Sequence, residues 1–101
     1  MNLKAQFNEE IKNNIKSLSS DRYIKKLSKK WILESAKHKW SYNFSWMGRP
    51  AIQFPNDTWA MQEIIWEVKP DLIIETGIAH GGSLIFYASM LALLDLNEFG
   101  K

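Results

Sequence analysis

Residues Asp71 to Ser83 read D-L-I-I-E-T-G-I-A-H-G-G-S, an apolar run that passes straight into a loop holding Gly77, Gly81 and Gly82. Asp71 to Thr76 reads as a short strand, and its consecutive apolar residues Leu72, Ile73 and Ile74 are the pattern of a strand covered on both faces, as in parallel sheets. Ser83 can cap a helix running to about Leu96, with Leu84, Tyr87, Ala88, Leu91 and Leu94 on one side. Strand, glycine loop and helix in that order form the opening unit of a doubly wound α/β fold, whose ligands sit outside the carboxyl ends of the strands. Such a strand cannot stand alone. The N–H and C=O groups of Leu72 to Thr76 need neighbours, and each one buried without a partner costs about 1–3 kcal/mol.

The loop itself can be tested against known chemistry. A phosphate-gripping loop needs G-x-x-x-x-G-K-[ST]. Gly77 and Gly82 have that spacing, but Ser83 stands where the lysine should be, which argues against nucleotide hydrolysis. The dinucleotide pattern G-x-G-x-x-G fails as well, because position 79 is alanine. What remains, an acid–x–Gly loop after a strand, is similar to the first motif of class I S-adenosylmethionine-dependent methyltransferases. The plainer alternative is that the glycines only permit a tight strand-to-helix turn. His80, a single histidine in a loop, reads more readily as a surface or hydrogen-bonding residue than as a base or metal ligand.

Upstream, Leu3, Phe7, Ile11, Ile15 and Leu18 form one stripe of a helix. Ser19-Ser20-Asp21 breaks it and offers caps for a second helix. There Ile24, Leu27 and Trp31 share a face, opposite Lys25, Lys26, Lys29 and Lys30. A solvated face opposite a core stripe accounts for those lysines, and the net charge of +2 is too small to argue for nucleic acid, so no nucleic-acid partner is expected. Trp40 to Pro55, W-S-Y-N-F-S-W-M-G-R-P-A-I-Q-F-P, has no clear period and reads as an ordered, partly buried aromatic loop. Pro55-Asn56-Asp57-Thr58 starts a third helix that Pro70 ends. Asn97 to Lys101 reads as a polar connection.

The stretches S-Y-N-F-S-W-M-G-R-P-A-I-Q-F-P-N-D and A-M-Q-E-I-I-W-E-V-K-P-D-L-I-I-E-T-G-I-A-H-G-G-S-L-I-F-Y-A-S-M-L closely resemble the cephalosporin hydroxylase family, also described as rhamnosyl O-methyltransferases. The resemblance runs from Lys29 to about Leu94. It implies an α/β fold: a helical N-terminal region followed by the first β-loop-α unit of a Rossmann-like, S-adenosylmethionine-binding methyltransferase domain. It implies methyl transfer to a hydroxyl of a sugar or other small molecule, often with a divalent metal in full-length relatives. By the same resemblance, Glu75, Gly77, Gly81, Gly82 and Ser83 would line the cofactor's methionine end, with Gly48-Arg49-Pro50 and Gln53 bordering the site.

Family members run well over twice this length, and the ribose-binding acid, metal-binding carboxylates and catalytic base expected downstream have no counterpart here. The expectation is therefore a truncated or split coding region, or a fragment, inactive alone and prone to self-association or to pairing with a complementing chain. The expected organisation is a helical region with aromatic loop over 1–56 and an incomplete cofactor domain over 57–101. A non-catalytic interaction module is the alternative. No metal site is expected, since Asp57, Asp71 and Glu75 lack a recognisable ligand spacing. The absence of cysteine excludes disulfides and thiolate chemistry. With a polar N-terminus and no apolar run of the roughly 18–20 residues a membrane span needs, the chain reads as soluble and cytoplasmic.

Overall fold

The computed structural model describes the backbone of residues 2–99 and the side chains of residues 2–97. The chain divides into two compact units, Met1–His38 and Lys39–Lys101.

The first unit is two helices, α1 (Leu3–Ser20) and α2 (Arg22–Ala36). Local hydrogen bonds set their limits. The Asn2 side chain accepts from the Ala5 N–H at 3.1 Å and caps α1. Asp21 serves both helices: its N–H donates to the Leu18 carbonyl, and its Oδ1 accepts from Tyr23 and Ile24 N–H at 2.9 and 3.0 Å. The break expected at Ser19-Ser20-Asp21 therefore falls where one residue satisfies orphan groups of two helix ends. The expected apolar stripes are present but uncovered: Phe7, Ile15, Leu18 and Leu27 are all exposed, and α1 buries no residue.

The second unit starts with a 3-10 turn at Trp40–Tyr42. An antiparallel hairpin follows, β1 (Phe44–Trp46) and β2 (Arg49–Ala51), in the register Phe44↔Ala51, Ser45↔Pro50, Trp46↔Arg49. The two turn residues, Met47 at φ 47° and Gly48 at φ 82°, are both left-handed. That is the backbone of a type I′ turn, whose twist matches that of the strands it joins. The hairpin was not apparent in the sequence because methionine stands where asparagine usually signals such a turn, and because Pro50 argues against a strand. In a two-stranded ribbon each strand is an edge, so a proline costs no inner ladder bond.

Helix α3 (Pro55–Val68) begins with proline in its first turn and carries Asp57 beside its positive end. It stops at Lys69, which is left-handed at φ 50° and donates its N–H to the Ile65 carbonyl at 2.8 Å. Helix α4 (Gly82–Phe99) is the last element; it absorbs most of the connection expected over 97–101, and Gly100 and Lys101 lie outside the described residues.

The core of this unit is small. Phe86 is 3% exposed and Ile65 5%. Trp46 meets Phe86 edge-to-face at 4.9 Å and donates its Nε1–H to Ser89 Oγ at 3.2 Å. Ser89 in turn donates to the Ile85 carbonyl at 2.8 Å, so the indole is tied to the helix through a polar and an apolar contact. Trp40 packs on Phe44 at 4.9 Å and on Phe54 at 5.6 Å.

Two expectations need correction. Asp71 to Thr76 forms no strand, and Leu72 and Ile74 are 72% and 82% exposed. Among the described residues no strand runs beside this segment, and without a ladder an apolar run has nothing to cover it. The sheet that does form is the hairpin, in the segment read as a loop. Helix α4 is best covered at Phe86, on the face where the hairpin packs.

Met47 is 82% exposed, so its replacement removes little packing, and asparagine tolerates the left-handed region better. Met47→Asn is expected to stabilise the second unit by about 0.5–1 kcal/mol, read as a higher urea midpoint by tryptophan fluorescence. An unchanged or lower midpoint would count against the type I′ assignment.

Candidate functional site

The glycine loop lies between the irregular Leu72–Thr76 segment and α4. Gly77 at φ 71°, Ala79 at φ 48° and Gly81 at φ 88° are left-handed. The Gly81 N–H donates to the Ile78 carbonyl at 2.8 Å, closing a tight turn, and the Gly81 carbonyl accepts from the Ile85 N–H at 3.1 Å as the helix starts. Ala79 carries a strain that glycine would not, a feature concentrated in ligand-binding loops.

Ser83, in the first turn of α4, donates its hydroxyl to Glu75 Oε1 at 2.9 Å. The bond joins the end of the irregular segment to the start of the helix across the loop. One helical turn further, Tyr87 lies on the same face as Ser83. Burial, and then the Glu75 carboxylate, push the Tyr87 phenol above its ordinary range. Tyr87 was not singled out in the sequence, although its spacing of four from Ser83 was a usable signal.

The glycines have different neighbours. Around Gly77 nothing lies within 4 Å of where a Cβ would stand, so backbone there faces open space. At Gly81 a Cβ would lie 3.9 Å from Arg49 Nη1. At Gly82 it would lie 2.7 Å from the Ala51 Cβ and 2.8 Å from the Pro50 carbonyl carbon, against the Pro50 oxygen itself. Gly82 is thus required by the approach of α4 to β2. The structure brings Arg49 and Pro50 beside the loop.

Ser83 also lines a partly open cavity of about 460 Å³ between the hairpin, α3 and α4, together with Phe44, Trp46, Gln53, Trp59 and Phe86. Its size and apolar walls suit a small molecule. Among the described residues no group of three or more His, Cys, Asp or Glu side chains converges as a metal site. No described helix is long and apolar enough to cross a membrane.

The sequence pattern of the family described as rhamnosyl O-methyltransferase/CmcI matches residues 38–99, more than half of the chain. The chain belongs to this family. The match begins where the second unit begins, so the helical pair lies almost entirely outside it. A rhamnosyl O-methyltransferase of Mycobacterium leprae (strain TN) is 42% identical over 60 residues, covering 54% of this chain and 26% of that protein. Proteins of the same name from Mycobacterium bovis (strain BCG / Pasteur 1173P2) and Mycobacterium tuberculosis (strain ATCC 25618 / H37Rv) are each 38% identical over 60 residues, with 54% and 24% covered. The chain therefore spans about a quarter of the length of these relatives. No solved structure matches it significantly.

Two outcomes follow from the packing of this family member. Gly82→Ala forces α4 away from backbone that has little freedom to yield, and is expected to cost about 1–3 kcal/mol, seen as a lower melting temperature by circular dichroism. A melt equal to that of the parent chain would remove the close approach from the account. In a Tyr23→Phe/Tyr42→Phe background, Tyr87 should ionise above the value of a free tyrosine, about 10, in an ultraviolet difference titration. Glu75→Gln should lower it part of the way, because burial remains. Between the unfolded and the raised folded value the native state holds the extra proton, so stability falls as pH rises through that window.

Proposed function

We propose that the second unit carries the methionine-binding part of an S-adenosylmethionine site in an O-methyltransferase, with Glu75, Gly77, Gly81, Gly82 and Ser83 around the donor's amino-acid end. The observation that carries the reading is the Glu75–Ser83 hydrogen bond, which holds a carboxylate at the mouth of a left-handed loop that leads into a helix N-terminus. An amino acid has one cationic and one anionic end. Glu75 offers a negative charge to the ammonium, and the first N–H groups of α4 offer partial positive charge to the carboxylate. Open space beside Gly77 leaves room for such a ligand. S-adenosylmethionine, when bound, supplies a methyl group on a sulfonium for transfer to a nucleophilic oxygen. The role of Ser83 is to orient Glu75, and the role of Gly82 is to let the hairpin hold the helix start in place.

The acceptor is a hydroxyl of a sugar or other small molecule, a reading supported by the names of the mycobacterial relatives. Groups for the cofactor's ribose, for the acceptor and for proton removal come from outside the described residues, so the 101-residue chain alone is inactive. The bare segment Leu72–Thr76, with its exposed Leu72 and Ile74, supports a second part of the reading: it pairs with strands of a Rossmann-like sheet supplied by further chain or by a complementing partner. A divalent metal of the kind the family resemblance implies would take its ligands from that further chain, since no group of three or more His, Cys, Asp or Glu side chains converges among the described residues.

Calorimetric titration with S-adenosylmethionine tests both parts. The chain alone should bind weakly, in the millimolar range (about −4 kcal/mol), and Glu75→Gln should lose that binding at least tenfold, with a smaller loss for Ser83→Ala. Micromolar binding by the chain alone would overturn the claim that the site is completed elsewhere. Binding indifferent to Glu75 would overturn the placement of the donor.

A further inference from the structure

The site described above is built from residues of the second unit, and the chemistry of the first unit is of another kind. Residues 1–38 hold nine Lys and Arg against four Asp and Glu, whereas residues 39–101 hold four against seven. A modest net charge of +2 thus conceals a basic helical unit and an acidic second unit. The basic residues are also ordered. Lys25, Lys26, Lys29 and Lys30 lie on one face of α2, with Arg22 among them, and Ile24 and Leu27 lie on the opposite face. Helix α1 shares the apolar stripe, with Leu3, Phe7, Ile11, Ile15 and Leu18 along one side, but its other side is mixed, holding Lys12 and Lys16 together with Glu9.

In the structure the apolar sides of both helices face solvent. In α1 the exposure runs from 38% at Ile11 to 76% at Leu3. Neither helix is long and apolar enough to cross a bilayer. An amphipathic helix of low mean hydropathy with a lysine-rich polar face is the form of chain that lies in a membrane interface, its apolar side at the boundary of headgroups and acyl chains.

We propose that the first unit docks on an anionic bilayer surface, with the stripes Leu3-Phe7-Ile11-Ile15-Leu18 and Ile24-Leu27 inserted and the flanking lysines among anionic headgroups. The occupant is chosen by charge together with apolarity. A second copy would cover the stripes but bring two basic helices side by side, and each α2 has only Glu34 to offset its five basic residues. A nucleic acid would satisfy the lysines and leave the apolar stripes in water. A bilayer with anionic lipid satisfies both at once, with a contribution from every basic residue near its surface.

The experiment is flotation of the full chain with vesicles of phosphatidylcholine alone or with added phosphatidylserine. Partitioning should be at least tenfold stronger on the anionic vesicles and should fall in high salt. Lys25→Gln/Lys26→Gln/Lys29→Gln/Lys30→Gln leaves the apolar stripe untouched. It should lower anionic partitioning by close to three orders of magnitude, near fivefold per lysine, with helicity unchanged by circular dichroism. Phe7→Ser/Ile11→Ser should weaken binding while leaving the lysines in place. Equal binding to neutral vesicles, anionic binding that ignores the lysine variant, or no flotation combined with a helix-dependent dimer in analytical ultracentrifugation would each overturn the proposal.

Discussion

The second unit depends on one close approach, the seating of the first residue of α4 against the backbone of β2. A glycine at position 82 is the only side chain that allows it, since a Cβ there would overlap Pro50 and Ala51. Once α4 begins at that point, Phe86 comes under Trp46, and the indole N–H finds Ser89. These contacts hold the hairpin on the helix without a large core. They also determine where the glycine loop lies, because its far end is the start of the same helix.

The chemistry of the loop follows from that anchor. With the helix start held, Ser83 reaches Glu75, and Arg49 is carried beside Gly81 by the hairpin. A carboxylate then stands beside the first turn of α4, held there by Ser83. The loop glycines divide the work. Gly82 meets another piece of the protein, while Gly77 faces open space and leaves room for a ligand. The same chain carries a second kind of chemistry in its first unit, where apolar stripes and lysines are sorted onto opposite helix faces.

Much of this was legible beforehand where the cause is local. The break between α1 and α2 follows from one aspartate that caps two helices, and α3 starts at its proline and ends before the next. Capping and proline geometry act within a few residues, so a sequence displays them directly. The glycine loop and the family's flanking segments draw attention to Glu75 and Ser83, but the hydrogen bond between them is seen only in the structure. The hairpin could not be read, since Met47 carries no turn signal and Pro50 masks β2. Nor could the upward shift of the Tyr87 phenol, which depends on burial and on a carboxylate twelve residues earlier in the chain.

The sequence by itself determined the helices, the glycine loop and the membership of the rhamnosyl O-methyltransferase/CmcI family, because caps, periodicity and motif are local patterns. It also carried the strand-like run of Leu72 to Ile74, but an apolar pattern states only that a segment needs cover. Only the tertiary structure decided which segments obtained it. Residues 44–51 pair with each other across a two-residue turn and pack on α4, whereas Leu72–Thr76 forms no strand and has no ladder beside it among the described residues. A ladder requires a second backbone at hydrogen-bonding distance, and no property of a single segment can supply one.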